Sequence, residues 1–273
     1  MMRSLWTAAS GMTSQQLNVD TISHNLANVN TAGYKKERLE FKSLLYQTLQ
    51  RANLDPANQT GRPVNLQVGH GVRPSVTSRS FDNGSFEFSG NPTDFAIEGD
   101  GFFMVQLNAN GDIGFTRDGS FKLSVDEDGL MFVTSDGSPI LSVDGEPIII
   151  PNEVGAANVS VRDDGTVTYI DADLQEVDLG FQFALVQFPN VQGLEAIGSN
   201  IYVATAASGQ PMLEADGETL KTSKMVQGYL EMSNVQVAEE MVRLIVAQRA
   251  YELNSKAIQT SDDMLQQANN LKR

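Results

Sequence analysis

Residues Met2 to Val29 read MRSLWTAASGMTSQQLNVDTISHNLANV, and within them Leu5, Ala8, Met12, Gln15, Val19, Ile22, Leu26 and Val29 recur at alternating steps of three and four. That spacing holds one seam on one face of an α-helix, with Gln15 as its polar interruption. At the other end of the chain Leu244, Ala247, Tyr251, Ile258, Leu265 and Ala268 form a row at helical spacing. Val246, Ala250, Leu253, Ala257, Met264 and Leu271 form a second row beside it. Two adjacent rows make a stripe wide enough to touch more than one neighbour.

At about 1.5 Å per residue, a helix over Met2 to Val29 is about 40 Å long, and one over Asn234 to Leu271 about 55 Å. A compact domain of this size cannot cover stripes of that length. The seams therefore predict an α+β protein whose long N- and C-terminal helices pack together as a coiled-coil-like stalk, stabilised mainly by packing. An intramolecular helical hairpin laid on a β-domain is the alternative.

Between the ends the chain reads as β-structure. From Phe81 to Gly217 it is punctuated by Asn-Gly and Asp-Gly pairs, among them Asn83-Gly84, Asn110-Gly111, Asp118-Gly119, Asp128-Gly129, Asp136-Gly137, Asp144-Gly145, Asp164-Gly165 and Asp216-Gly217. These dipeptides tolerate the positive φ angles of tight hairpin turns. Strands are expected at Phe95–Ile97, Phe102–Leu107, Phe121–Val125, Met131–Thr134, Ile148–Ile150, Val159–Arg162, Val167–Ile170, Phe183–Phe188 and Ile201–Ala204. Their spacing predicts an irregular all-β sandwich or barrel. Leu45 to Val76, with Pro56, Pro63 and Pro74 and no sustained periodicity, reads as an extended connector with room for a short hairpin. The expected organisation is a terminal helical domain over 1–44 and 224–273, a connector over 45–76 and a β-rich domain over 77–223.

The chain has 273 residues, a net charge of −15 and no cysteine. Disulfides and thiolate metal sites are thereby excluded. Residues 1–51 hold six Lys/Arg against three acids and residues 223–273 hold six of each sign, which leaves 7 bases against 25 acids in the middle. Near-neutral ends suit helices that crowd together, because like charge opposes that packing. A basic footprint for nucleic acid is missing. No apolar run approaches the ~20 residues of a membrane span, and the polar residues from Ser10 to Asp20 interrupt any signal-peptide core.

No catalytic constellation emerges. Most acids sit beside Gly in turns, where they cap the backbone and face water. Asp126-Glu127-Asp128-Gly129 resembles the start of a calcium loop, but the position for the bidentate Glu is Gly137. His24 and His70 are isolated from any second ligand in sequence. Neither a catalytic site, a metal site nor a cofactor is expected.

His24-Asn25-Leu26-Ala27-Asn28-Val29-Asn30-Thr31-Ala32-Gly33-Tyr34-Lys35 resembles the N-N-L-A-N-x-x-T-x-G-[FY]-K signature of the axial proteins of the bacterial flagellum. Three further blocks resemble the same rod and hook family: Gly90 to Phe103, Phe115 to Phe121 and Gln227 to Val235. The opening Arg3 to Met12, together with Leu44 to Leu49 and Gln67 to Gly71, resembles the distal-rod branch more than the proximal rod or hook. Physical chemistry agrees at the first block, because Asn25, Asn28 and Asn30 compete for backbone hydrogen bonds. They are expected to end the first helix near Thr31, with Gly33 as a left-handed cap.

The resemblance implies a structural subunit of the basal-body rod, in the periplasm-spanning part of the flagellum. Such a subunit is exported by the flagellar export apparatus without signal cleavage and assembles helically with itself into a rigid hollow drive shaft. It also implies proximal-rod, hook or junction proteins as neighbours and surrounding bushing rings. The residues expected to pack the helices are Leu5, Ala8, Met12, Val19, Ile22, Leu26, Val29, Leu244, Ala247, Tyr251, Ile258 and Leu265; Asn25, Asn28, Asn30, Thr31, Gly33 and Tyr34 carry the family motif. The alternatives are a proximal-rod or hook subunit and, from another class, a binding module whose helices close into a finite oligomer.

Overall fold

A computed structural model describes residues 2–54, 61–62, 64–107, 111–126, 129–151, 159–170, 176–216 and 221–271. The chain forms two compact units. One gathers Met1–Ala27, Glu37–Arg79 and Gln236–Arg273; the other gathers Asn28–Lys36 and Ser80–Val235. The backbone thus passes from one unit to the other four times.

In the helical unit, α1 (Met2–Ala27) and α2 (Val237–Asn270) are both long. Asn28, the first residue past α1, accepts hydrogen bonds from the Thr31 amide and hydroxyl, so the chain turns there and Val29 falls outside the helix. Glu239 and Glu240 lie in the first turn of α2, where negative charge favours the amino end of the helix dipole. The helices run antiparallel. Ser4 Oγ lies 3.3 Å from Ser261 Oγ, Asn254 covers Gly11, and Asn25 Nδ2 donates to Glu240 Oε2 at 3.2 Å.

Six strands complete this unit: β1 (Glu37–Ser43), β2 (Tyr46–Gln50), β3 (Asn53–Leu54), β4 (Gly61–Arg62), β5 (Leu66–Gly69) and β6 (Val72–Arg79). They pair as β1 with β6, β2 with β5 and β3 with β4, all antiparallel. The expected connector is therefore a nested ribbon in its described residues. Pro56 and Pro63 lie outside them. Leu45, Tyr46, Leu49 and Leu66 are exposed, and a two-stranded ribbon of this kind has little stability of its own. Its base is fixed at Gly71, which takes the left-handed region (φ 109°) beside Ser10 of α1.

The β-rich unit comprises β7 (Phe86–Phe88), β8 (Phe95–Glu98), β9 (Phe102–Gln106), β10 (Ile113–Thr116), β11 (Lys122–Val125), β12 (Leu130–Val133), β13 (Ile149–Ile150) and β14 (Val159–Val161). It continues with β15 (Thr166–Ile170), β16 (Glu176–Gln182), β17 (Leu185–Gln187), β18 (Glu195–Gly198), β19 (Ile201–Val203), β20 (Met212–Leu213), β21 (Lys224–Gln227) and β22 (Tyr229–Glu231). Its largest sheet has six strands in the order β18-β19-β10-β9-β17-β20, with smaller two- and three-stranded sheets beside it.

Side chains alternate across a strand, and β9 uses both faces. Phe103 and Val105 enter one cluster with Phe95, Phe121, Phe132 and Phe183; Phe102 and Met104 enter another with Phe115, Phe188 and Tyr202. The rings of Phe103 and Phe121 meet edge to face at 5.0 Å. Each expected strand has a counterpart: most are shortened at one or both ends, β8 and β15 each extend one residue further, and β12 is shifted by one. Asn110, Glu127, Asp128 and Gly217 lie outside the described residues. Residues 28–36 and 224–235, which the sequence places with the helical ends, cluster with this unit: β21 pairs with β8, β22 with β7, and Gly33 N and Lys36 N donate to Glu231 O and Asn234 Oδ1.

Candidate functional site

Two places concentrate the residues that the sequence singles out, one in each unit. The first is the helix pair. Ala8, Ile22 and Ala247 are buried, while Leu5, Met12, Val19, Leu26, Leu244, Ile258 and Leu265 are half-buried and Tyr251 is exposed. The deepest line on α1 is Ala8, Gly11, Ser14, Ile22 and Asn25, and on α2 it is Glu240, Ala247 and Ser261. Small and polar groups thus make the close contact, and much apolar surface is left over. Met241, Val242, Ile245, Val246 and Leu253 are between 51% and 67% exposed, and Trp6 is 76% exposed. A cleft of ≈430 Å³ in the helical unit is lined by Ile22, Leu39, Phe41, Val242, Val246 and Ala247. Asn25 closes the end of this packing: its carboxamide donates to Glu37 O at 2.8 Å and accepts from Glu37 N at 2.9 Å.

The second place is a buried ionic cluster in the β-rich unit, and sequence spacing does not disclose it. Glu231, on β22, receives Lys35 Nζ at 2.7 Å and the Gly84 amide at 2.9 Å on one oxygen, with Arg117 Nη1 at 3.5 Å from the other. All three charged side chains are 1% exposed. Lys35 also donates to Asp82 O, and Arg117 to Gly99 O and Asn83 Oδ1, while the guanidinium lies 4.9 Å from the Phe102 ring centre. Burial holds both cations below their usual pKa ranges, and the Glu231 carboxylate works in the opposite direction.

The motif residues surround this cluster. Gly33 takes the left-handed region (φ 68°), and a Cβ there would stand 2.5 Å from Asp118 N. Its amide donates to Glu231 O at 2.8 Å. Tyr34 is buried beside it, and the Thr31 hydroxyl donates to Asn28 Oδ1, while Asn30 is exposed. Asn234 stitches the neighbouring segments, accepting from Lys36 N and donating to Ser80 O and Asp82 O. Lys35, Arg117, Glu231 and Asn234 all sit inside the four blocks that carry the resemblance. Complementary charge in blocks distant in sequence is the one signal for Lys35, Arg117 and Glu231.

Asp118 shows a pH effect of its own. Burial, and next the charge of Asp94, push its carboxyl above the usual range despite the hydrogen bond it accepts from Ser120 N. A carboxyl raised in the folded state penalises folding once pH climbs above its unfolded pKa, about 4. Asp118→Asn keeps the capping oxygen, so it is expected to stabilise the β-rich unit at neutral pH, with the gain vanishing below about pH 4. Paired thermal melts of parent and variant at pH 7 and pH 3 check this.

Among the described residues no group of three or more His, Asp or Glu could hold a metal, and no helix is long and apolar enough to cross a membrane. A pair of long helices, joined by four chain passes to a β-rich unit, leaves an uncovered apolar face of the kind that marks association. The comparisons with known proteins make that specific. Residues 5–35 match the model described as "Flagella basal body rod protein", residues 96–169 the "Flagellar hook protein FlgE/F/G D1 domain", and residues 226–271 the "Flagellar basal body rod FlgEFG protein C-terminal". The chain is 49% identical to the flagellar basal-body rod protein FlgG of Borreliella burgdorferi over the full length of both. It is 44% identical to FlgG of Buchnera aphidicola subsp. Schizaphis graminum, over 99% of this chain and all of that one, and 37% identical to FlgG of Bacillus subtilis over the whole of both. The chain belongs to the flagellar basal-body rod family and is a structural subunit of the distal-rod type. These relatives are structural rod proteins, not enzymes.

Proposed function

We propose that this chain polymerises helically into a rigid, hollow drive shaft that transmits torque. The observation that carries the reading is the uncovered strip on α2, where Met241, Val242, Ile245, Val246 and Leu253 stay largely exposed in a single subunit. Exposed apolar patches of this kind mark association surfaces. A contact that joins unlike surfaces and whose rotation does not close produces an open helical filament. In the assembled state the terminal helices of many copies pack in a coiled-coil-like array around the axis. The acidic β-rich region forms the outer wall, and the stretch 45–76 braces adjacent copies. Delivery is by the flagellar export apparatus without signal cleavage, the axial neighbours are proximal-rod, hook or junction proteins, and bushing rings surround the shaft.

Electron microscopy of the purified protein at rising concentration tests this. Straight filaments that lengthen with concentration are expected; closed particles of fixed size would overturn the reading in favour of a finite oligomer. The same assay locates stiffness. Deleting Asn53 to Val64, of which residues 55–60 and 63 lie outside the described structure, is expected to leave self-association intact and yield filaments that bend measurably more. Filaments as straight as the parent's would assign stiffness to the helices or the outer wall.

A further inference from the structure

Asn83-Gly84 is one of two Asn-Gly pairs in the chain, Asn110-Gly111 being the other. It is not the hairpin turn that its sequence suggests. The pair lies in the irregular stretch before β7, and Gly84 does not adopt positive φ. Space is what requires a glycine there, because a Cβ would collide with Met232 O. Asn83 itself is exposed.

In an open chain this dipeptide modifies itself by ordinary amide chemistry. Hydroxide removes the Gly84 N–H proton, and the nitrogen, unhindered by any side chain, attacks Cγ of Asn83. The Cγ–Nδ2 bond breaks and ammonia leaves. Water then opens the resulting cyclic imide at either carbonyl, giving aspartate or isoaspartate, the latter with one more carbon in the backbone. Amide and water become acid and ammonia, with no change of oxidation state.

The fold acts on the first step. Gly84 N donates to Glu231 Oε1 at 2.9 Å, and that side chain is 1% exposed. The proton that hydroxide must reach therefore points at a buried group, and a carboxylate is far too weak a base to take it. Arg117 Nη1 donates to Asn83 Oδ1 at 3.2 Å, which taken alone draws electrons from Cγ and favours attack. The restraint on the nitrogen governs, because no attack begins until the proton leaves. Nor can the Gly84 peptide turn freely toward Asn83, wedged as it is against Met232 O.

We propose that Asn83-Gly84 is a conditional modification site: it converts to isoaspartate in the open chain, and Glu231 blocks the reaction once the β-rich unit has folded. The product lengthens the backbone beside the Gly84 amide, so a modified chain no longer seats that amide on Glu231. The mark records time spent unfolded.

The test incubates the full-length chain at neutral pH, folded and in urea, and reads the site by mass spectrometry with fragmentation that separates aspartate from isoaspartate. Folding is expected to slow conversion of Asn83 at least about tenfold. Glu231→Ala is expected to lose most of that protection while circular dichroism still shows a folded β-rich unit. Phe103→Leu, which weakens the same unit from its core and leaves Glu231 in place, is expected to keep it. Equal rates in folded and unfolded parent would overturn the proposal. Equal loss of protection in the two variants would overturn it too, since general stability would then account for the block. Should either variant fail to fold, amide exchange in the parent decides, because it begins with removal of the same proton. Gly84 exchange at least about tenfold slower than in the unfolded chain supports the block, and exchange at the unfolded rate overturns it.

Discussion

Ile22→Asp is expected to abolish filament formation while the β-rich unit still melts as a cooperative whole. Ile22 is 4% exposed on α1 and lines the cleft that Val242, Val246 and Ala247 share. Arg38 and Arg243 line the same cleft, with Arg243 already paired to Glu239 and Glu240, and a carboxylate brought out of water there among apolar side chains costs several kcal/mol if unpaired. The helical unit cannot then hold its pairing, whereas the aromatic clusters around Phe95 and Phe102 are untouched. Sedimentation at assembly concentrations measures the first effect and differential scanning calorimetry the second. Filaments at the parent's concentration would show that the buried line of α1 is not needed for packing. Loss of the β-unit's transition would show that the two units are one cooperative body.

Glu231→Ala is expected to destabilise the β-rich unit by about 3–5 kcal/mol, because it removes the carboxylate paired directly with two buried cations. The loss is not symmetric between them. Arg117 keeps Gly99 O, Asn83 and the Phe102 ring, but Lys35 keeps only Asp82 O. Adding Lys35→Met to the Glu231→Ala chain should therefore recover part of the deficit, and a double-mutant cycle by chemical denaturation quantifies the coupling. Additivity of the two changes would mean that the ion pair is incidental to the stability of the unit.

Much of this architecture was legible in the sequence, for identifiable reasons. The aromatic and branched runs of β9, β12 and β15 lie between Gly turns whose positive φ angles are real, as at Gly137, Gly145 and Gly165. The helices declared themselves through period. Their contact line was harder to read, because the deepest positions are Gly11, Ser14, Asn25 and Glu240, which no apolar count selects. The ribbon from β1 to β6 escaped for a different reason: it is largely exposed, so the short alternations at Leu39–Phe41 and Val72–Val76 mark no fully buried face. The ionic cluster was hidden because Lys35, Arg117 and Glu231 look like ordinary surface charges until the fold brings three distant blocks together. Buried charges answer to three-dimensional proximity, and a sequence offers that only indirectly.

The antiparallel helix register carries a last implication. The paired positions are 4 with 261, 11 with 254 and 25 with 240, each adding to 265, so there is no stagger along the pair. By the same sum residue 2 faces residue 263, and α2 continues to Asn270 with nothing from α1 beside it. At about 1.5 Å per residue this leaves a tenon about 10 Å long, bearing Met264 and ending beside Leu271, which are 45% and 86% exposed. In the filament proposed above, this tenon is the part of α2 left for a neighbouring copy to cover.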